Sequence, residues 1–241
     1  MATFIVPTYV GHAAELVNNK ISIYEKSLQS AEAALLQLGL PDEKLAVLRD
    51  KAGATQAITA GLKLLPEILK DPVQAQKLGF SATPGPKNIE DEGFPIIEIR
   101  RDDLRHFYPG ANVSGLLIYT NQVILPVDQA SLTIRFSIEK KDKPGPESAA
   151  LAWRPVRWGQ PKLISQLKNA QKLNPGAKPG FLASVPSLNR DFLGYKDADA
   201  LKLIPLFDDR LLHFTNGQAI VAEKVFERLA EEARSMDERP R

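Results

Sequence analysis

The chain contains no cysteine. That absence excludes a disulfide framework, thiolate zinc sites, iron–sulfur clusters and a cysteine nucleophile together. It also fits a reducing compartment. Long hydrophobic runs are missing as well, since no apolar stretch approaches the roughly 20 residues that a membrane-spanning helix requires. The opening MATFIVPTYVG has no basic n-region, and Pro7 and Thr8 break its apolar run, so it makes a poor signal peptide. The glycosylation acceptor Asn112-Val113-Ser114 has meaning only in a secreted chain. The expectation is a soluble, cytoplasmic protein with no membrane partner. Catalytic signatures are equally scarce. HExxH, GxSxG, GxGxxG and Walker patterns are absent, and His12, His106 and His213 stand apart from one another. No cofactor and no metal is expected.

What is present is an ordinary globular composition. The 241 residues are 44% hydrophobic and 25% charged, enough to bury a core without covalent or metal staples. Val17, Ile21, Tyr24, Leu28, Ala31, Leu35 and Leu38 recur at steps of four and three, which predicts a helix over 13–38 with one apolar stripe. Gly39 ends it, and Pro41, Asp42 and Glu43 open a second, short helix carrying Leu45, Val47 and Leu48 as far as Gly53. A third helical pattern runs from Thr55 towards Leu69, and Pro66 inside it either kinks it or starts a new helix. A fourth holds Val73 to Leu78. Two prolines, two glycines and an acidic cluster then mark Ser81–Gly93 as a linker or long loop.

Beyond it the period changes to two. FPIIEI, GLLIYT and VILPV are predicted strands, the last two joined by a tight turn at Asn121 and Gln122. In SLTIRFSIE, Leu132, Ile134, Phe136 and Ile138 face one way, and Thr133, Arg135, Ser137 and Glu139 face the other. That alternation predicts a sheet with one face on the core and one towards water, which favours antiparallel pairing. A tryptophan-containing strand near Leu151–Trp158, a helix near Pro161–Leu173 and the loop NPGAKPG follow. Apolar runs at Phe181–Val185 and Leu201–Phe207 and a helix from about Gln218 to Arg234 complete the chain. AGLKLLPEIL and DALKLIPLFD share too few letters to make a repeat. The predicted class is α+β: a helical module over 1–80, the linker over 81–93, and over 94–241 a mainly antiparallel sheet with a few helices and a C-terminal helix. The two modules are free to pack as one unit.

Four constellations bear on function. The apolar stripe of the 13–38 helix would serve self-association or a protein partner, or the chain's own core. Ala14, Leu16, Ile23, Ala34 and Leu36 widen it beyond a coiled-coil seam, which favours the core. The second feature is charge segregation. From Ser148 to Arg190 there is no acidic residue, while Arg154, Arg157, Lys162, Lys168, Lys172, Lys178 and Arg190 give +7; the whole-chain +2 therefore leaves −5 elsewhere. With Trp153 and Trp158 among the first arginines, this block suits a phosphate backbone, exposed bases or another anion. Its alternative is a solvated basic face balanced by acids of the same fold, with both tryptophans in the core.

The third constellation is IRRDDLRHFY. On a helix, Asp102 and His106 fall one turn apart, so the carboxylate would orient the imidazole, as a general base or, with Arg100 or Arg101, as a phosphate-handling site; a local ion-pair network is the alternative. The fourth, Asp128 followed by Glu139-Lys140-Lys141, imitates a metal-dependent nuclease, but a continuous strand would hold the two carboxylates about 36 Å apart. Together these features point to a non-enzymatic binding or assembly protein. The first alternative is a nucleic-acid or anionic-ligand binder using 148–190. The second is a hydrolase or nuclease centred on Asp102, Arg101 and His106.

Overall fold

A computed structural model of the chain describes residues 25–40, 45, 49–64, 67–68, 70–80, 92–127, 130–140 and 149–236; for 51, 130, 137–140 and 149–152 the backbone alone is described. The long N-terminal helix is described over 25–37, here α1. Leu28, Ala31, Ala34 and Leu35 of its stripe are each 3% exposed or less. Val17, Ile21 and Tyr24, together with most of the second predicted helix, lie outside the described residues.

Helix α2 covers Lys51–Lys63, so Gly53 does not separate two helices as expected. It lies in the first turn of α2, where Asp50 caps the helix by accepting the Gly53 N–H at 3.0 Å. A Cβ there would stand 2.3 Å from Asp50 Oδ2 and 3.2 Å from Trp153 Cδ1. Glycine is what admits both the cap and the tryptophan. The helix ends before Pro66, whose ring disfavours helical geometry in the residue ahead of it. Helix α3, Pro72–Lys77, starts on Asp71, whose carboxylate accepts from the Val73 and Gln74 N–H groups at 2.9 and 3.1 Å.

The strands are β1 Phe94–Glu98, β2 Ile118–Val127, β3 Ala130–Lys140, β4 Ala149–Gly159, β5 Phe181–Val185, β6 Arg190–Asp197, β7 Ala200–Pro205 and β8 Ile220–Val221. They form one sheet in the order β4-β3-β2-β1-β5-β6-β7-β8. Every neighbouring pair is antiparallel except β1 with β5, which run parallel. Helix α4, Arg101–Arg105, follows β1; α5, Pro161–Leu173, follows β4; α6, Ala222–Ser235, follows β8. The fold is α+β, as the change of periodicity predicts.

Three local expectations are corrected. Asn121 and Gln122 do not form a turn, because β2 runs unbroken through them. Pro95 pairs with Val123 and Ile97 with Tyr119, so three residues of β2 stand opposite Ile96. Asn121 takes up the excess in the left-handed region, at φ 58°, a conformation asparagine tolerates better than most residues. A bulge and a turn use the same side chains for the same reason. The last helix starts at Ala222, not Gln218, because Ile220 and Val221 pair with Leu203 and Lys202 as the edge strand β8.

The third correction concerns the sheet faces. Val123, Leu125, Leu132, Ile134, Phe136, Ile97, Phe181 and Phe192 share the larger core with α1, α2 and α6. Phe94, Ile124, Leu182, Leu193 and Ile204 point the other way and are covered by Leu163, Ile164, Leu167 and Ala170 of α5. The sheet is therefore buried on both faces where α5 crosses it. Even the polar face of β3 is closed at Ser131 and Thr133, and it opens to water at Arg135. Of the predicted linker, Glu92 and Gly93 are described, and both are buried. A Cβ on Gly93 would come within 2.5 Å of the Ser27 carbonyl oxygen, so β1 begins directly against the backbone of α1. No helix among the described residues is long and apolar enough to cross a membrane.

Candidate functional site

The basic block disperses once it is folded. Arg190, at the start of β6, is paired with Asp209 at 2.7 Å and Glu232 at 3.3 Å, and its guanidinium lies 5.1 Å from the Phe207 ring centre. Lys178 reaches Glu92 at 3.0 Å, and Gln171 donates to the other oxygen of that carboxylate at 2.5 Å. Trp153 is buried, edge-on to Phe136 at 5.3 Å. Trp158 is half-buried against Phe80 and gives its indole N–H to the Gly61 carbonyl at 3.2 Å. Both rings lie on the α2 side of the sheet, away from any ligand on the opposite face. Lys162 and Lys172 are exposed on α5, and Lys168 is partly buried there.

Arg154 and Arg157 remain, and the sheet gives them a neighbour that the block does not contain. Arg135 of β3 stands directly opposite Arg154, while Arg157 stands opposite Thr133. All three arginines are exposed. Between Pro155 and Arg157 the register shifts by one residue at Val156. This bulge returns Arg157 to the face that carries Arg154. The result is three exposed guanidinium groups on one face of an edge strand and its neighbour, the face opposite the α2 core. Arg135 was legible in the sequence as a member of the polar face of β3, but its partners across the strand were not. The chain segment 141–148, which joins these strands, lies outside the described residues.

The second set of candidates lies at the other end of the sheet's centre. Helix α4 is a single turn ending at His106. The imidazole Nδ1 is 2.7 Å from the backbone carbonyl of Asp102, not from its carboxylate. That carboxylate meets Arg105 at 3.3 Å. Arg101 and Asp102 instead line a cleft of about 390 Å³ together with Glu98, Ile99, Arg100, Pro186 and Ser187. His106 is not among these lining residues. A larger hollow of about 560 Å³ is bounded by Asp208, Asp209, Arg210, His213, Phe214 and Thr215. Its acids are turned to internal work: Asp209 accepts from the Leu211 and Leu212 N–H groups and from Arg190, and Asp208 from the Asn216 N–H. As for the nuclease-like pattern, β3 is unbroken from Ala130 to Lys140, which holds its ends about 30 Å apart. No group of three or more His, Asp or Glu side chains that could hold a metal occurs among the described residues.

Compared with known proteins, the chain matches no family model, no curated protein and no solved structure.

Proposed function

We propose that this is a binding protein that docks an anionic partner, the phosphate backbone of a nucleic acid, on the outer face of β3 and β4. The observation that carries this is the pairing of Arg135 with Arg154 across the two strands, with Arg157 beside them. Like charges directly opposite each other on a sheet are destabilising. No ion pair to any of the three is found among the described residues. An unfavourable arrangement kept on an exposed face is accounted for by a ligand that neutralises it.

The withdrawal of both tryptophans from this face supports a backbone-directed mode. Stacking on exposed bases needs a free ring, whereas guanidinium groups alone suffice for phosphates. The three arginines lie within about 10 Å along β4, a length that spans about three phosphates of one strand at ~3.4 Å of axial rise.

The test is a fluorescence-anisotropy titration of a labelled duplex across salt concentrations. Three phosphate contacts give a log–log slope near −2.7, hence about a 40-fold loss of affinity between ~50 and ~200 mM salt. Changing Arg135, Arg154 and Arg157 together to Gln should abolish the slope. Absence of duplex binding at low salt overturns the proposal. Tighter binding of the corresponding single strand would refute the backbone-directed mode.

A further inference from the structure

We infer that the cleft at the carboxyl ends of β1 and β5 is a separate site for a small molecule carrying an oxyanion, a carboxylate or a phosphate, held by Arg100. The argument starts from topology. β1 and β5 are the one parallel pair in the described sheet, and they lie side by side at its centre. From β1 the chain returns through β2 on one side. From β5 it returns through β6 on the other. Two parallel strands whose connections leave in opposite directions open a crevice beyond their carboxyl ends, and this is where ligands settle in open sheets with parallel strands. The cleft bounded by Glu98, Arg100, Arg101 and Ser187 lies there. Topology and cavity thus mark the same place independently.

The walls of the cleft are rigid. Ile99 is fully buried and donates its N–H to the Ser184 carbonyl at 2.9 Å, continuing the parallel pairing past β1. Leu104 anchors α4 from below with no exposed surface. Of the charged side chains between these two anchors, Arg100, Asp102 and Asp103 are exposed.

Their chemistry is unequal. The charge of Asp102 is met by Arg105 from outside the cleft. Arg100 is exposed, makes no side-chain capping bond to α4, and has no ion-pair partner among the described residues. A guanidinium presents a planar fork of donors that matches a carboxylate or phosphate edge. Glu98 disfavours a multiply charged anion and accepts a donor carried beside the oxyanion group. The Ser187 hydroxyl supplies a further neutral donor. A volume of about 390 Å³ falls within the range of small-molecule sites.

The test is a two-dimensional NMR titration of the full chain with acetate and, in a parallel arm, inorganic phosphate. The expected result is saturable shifts of the amides around Glu98–Asp102 and Ser187, with a millimolar dissociation constant. The tighter of the two anions identifies the group recognised. Arg100→Gln should weaken binding by about tenfold or more, the loss of one charge-assisted hydrogen bond. Lys196→Gln, which removes a positive charge from the far end of β6, should leave it unchanged. Shifts that rise without saturating in both arms overturn the inference. So do saturable shifts that survive Arg100→Gln. Neither outcome bears on the arginine face of β3 and β4, which this site does not share.

Discussion

Consider Arg190→Met, a substitution that keeps an unbranched stem as far as the position of Nε and removes the charged guanidinium head. Arg190 joins three parts of the fold: β6, the loop that carries Asp209, and Glu232 of α6. The three side chains are 22%, 15% and 21% exposed, so water reaches them only partly. Removing one partner of a fully buried pair costs about 3–5 kcal/mol, because the other charge is stranded. Partial access reduces that to about 2–3 kcal/mol here, since water solvates some of what the cation leaves behind. Methionine keeps apolar contact with Phe207 but forfeits the cation–π attraction, about 0.5–1 kcal/mol more. The expected loss is therefore about 2.5–4 kcal/mol by urea denaturation. It should persist at high salt, because a partly buried pair is poorly screened. Duplex affinity, proposed to rest on Arg135, Arg154 and Arg157, should not change. Wild-type stability in the methionine variant would refute this account of Arg190, and so would loss of duplex binding by a variant that remains folded.

Two further outcomes follow from the cores. Leu28→Ala should destabilise by about 2–5 kcal/mol, the range for emptying an enclosed leucine site, with an unchanged sedimentation coefficient; no loss of stability, or a change of oligomeric state, would reject packing of α1 on its own sheet. Burial holds the Tyr119 phenol well above its ordinary range, and its hydroxyl has no hydrogen-bond partner among the described residues. The folded state thus keeps this proton longer than the unfolded chain, so the contribution is full below about pH 10 and is lost as pH rises beyond it. Tyr119→Phe should flatten that alkaline fall in denaturation midpoint and raise stability at neutral pH by up to about 1 kcal/mol; an identical fall in both proteins refutes the assignment.

Much of this fold is written in periodicity. The step of three and four around Leu28 and Leu35 and the alternation through Leu132, Ile134 and Phe136 report burial directly, because a side chain's direction is set by its own backbone. What escaped were features set by contact with distant residues. Gly53 looks like a helix stop in isolation, and only the approach of Trp153 explains why glycine stands inside α2. Asn121 has the composition of a turn, and only its pairing with β1 makes it a bulge. Ile220 and Val221 fit the last helix until β7 offers them hydrogen bonds. The candidate site is split in the same way. Arg154 and Arg157 were visible as charge, while the parallel pairing that opens the cleft beside Arg100 joins strands more than 80 residues apart.

The charge segregation shows why a linear count of positive residues misjudges a surface. Between Ser148 and Arg190 the chain builds an edge strand, a helix on one sheet face, a loop and a central strand. Elements so different in position cannot present seven cations together. Lys178 and Arg190 are drawn to acids that the block itself lacks, Glu92 from before β1 and Asp209 and Glu232 from the C-terminal part. The missing carboxylates are therefore supplied by the rest of the fold, and this consumes part of the excess charge. Of what it does not consume, Lys162 and Lys172 stay exposed on α5, while strand pairing, rather than sequence, brings the arginines together. Arg135 joins Arg154 and Arg157 from outside the block because β3 and β4 share a register. The bulge at Val156 matters here: in a regular strand that kept Val156, alternation would turn Arg157, three residues after Arg154, towards the α2 core. Deleting Val156 should accordingly remove the bulge yet leave Arg157 two residues after Arg154 on the same face, so duplex affinity should be kept; its loss in a folded deletion variant would refute this account of the bulge.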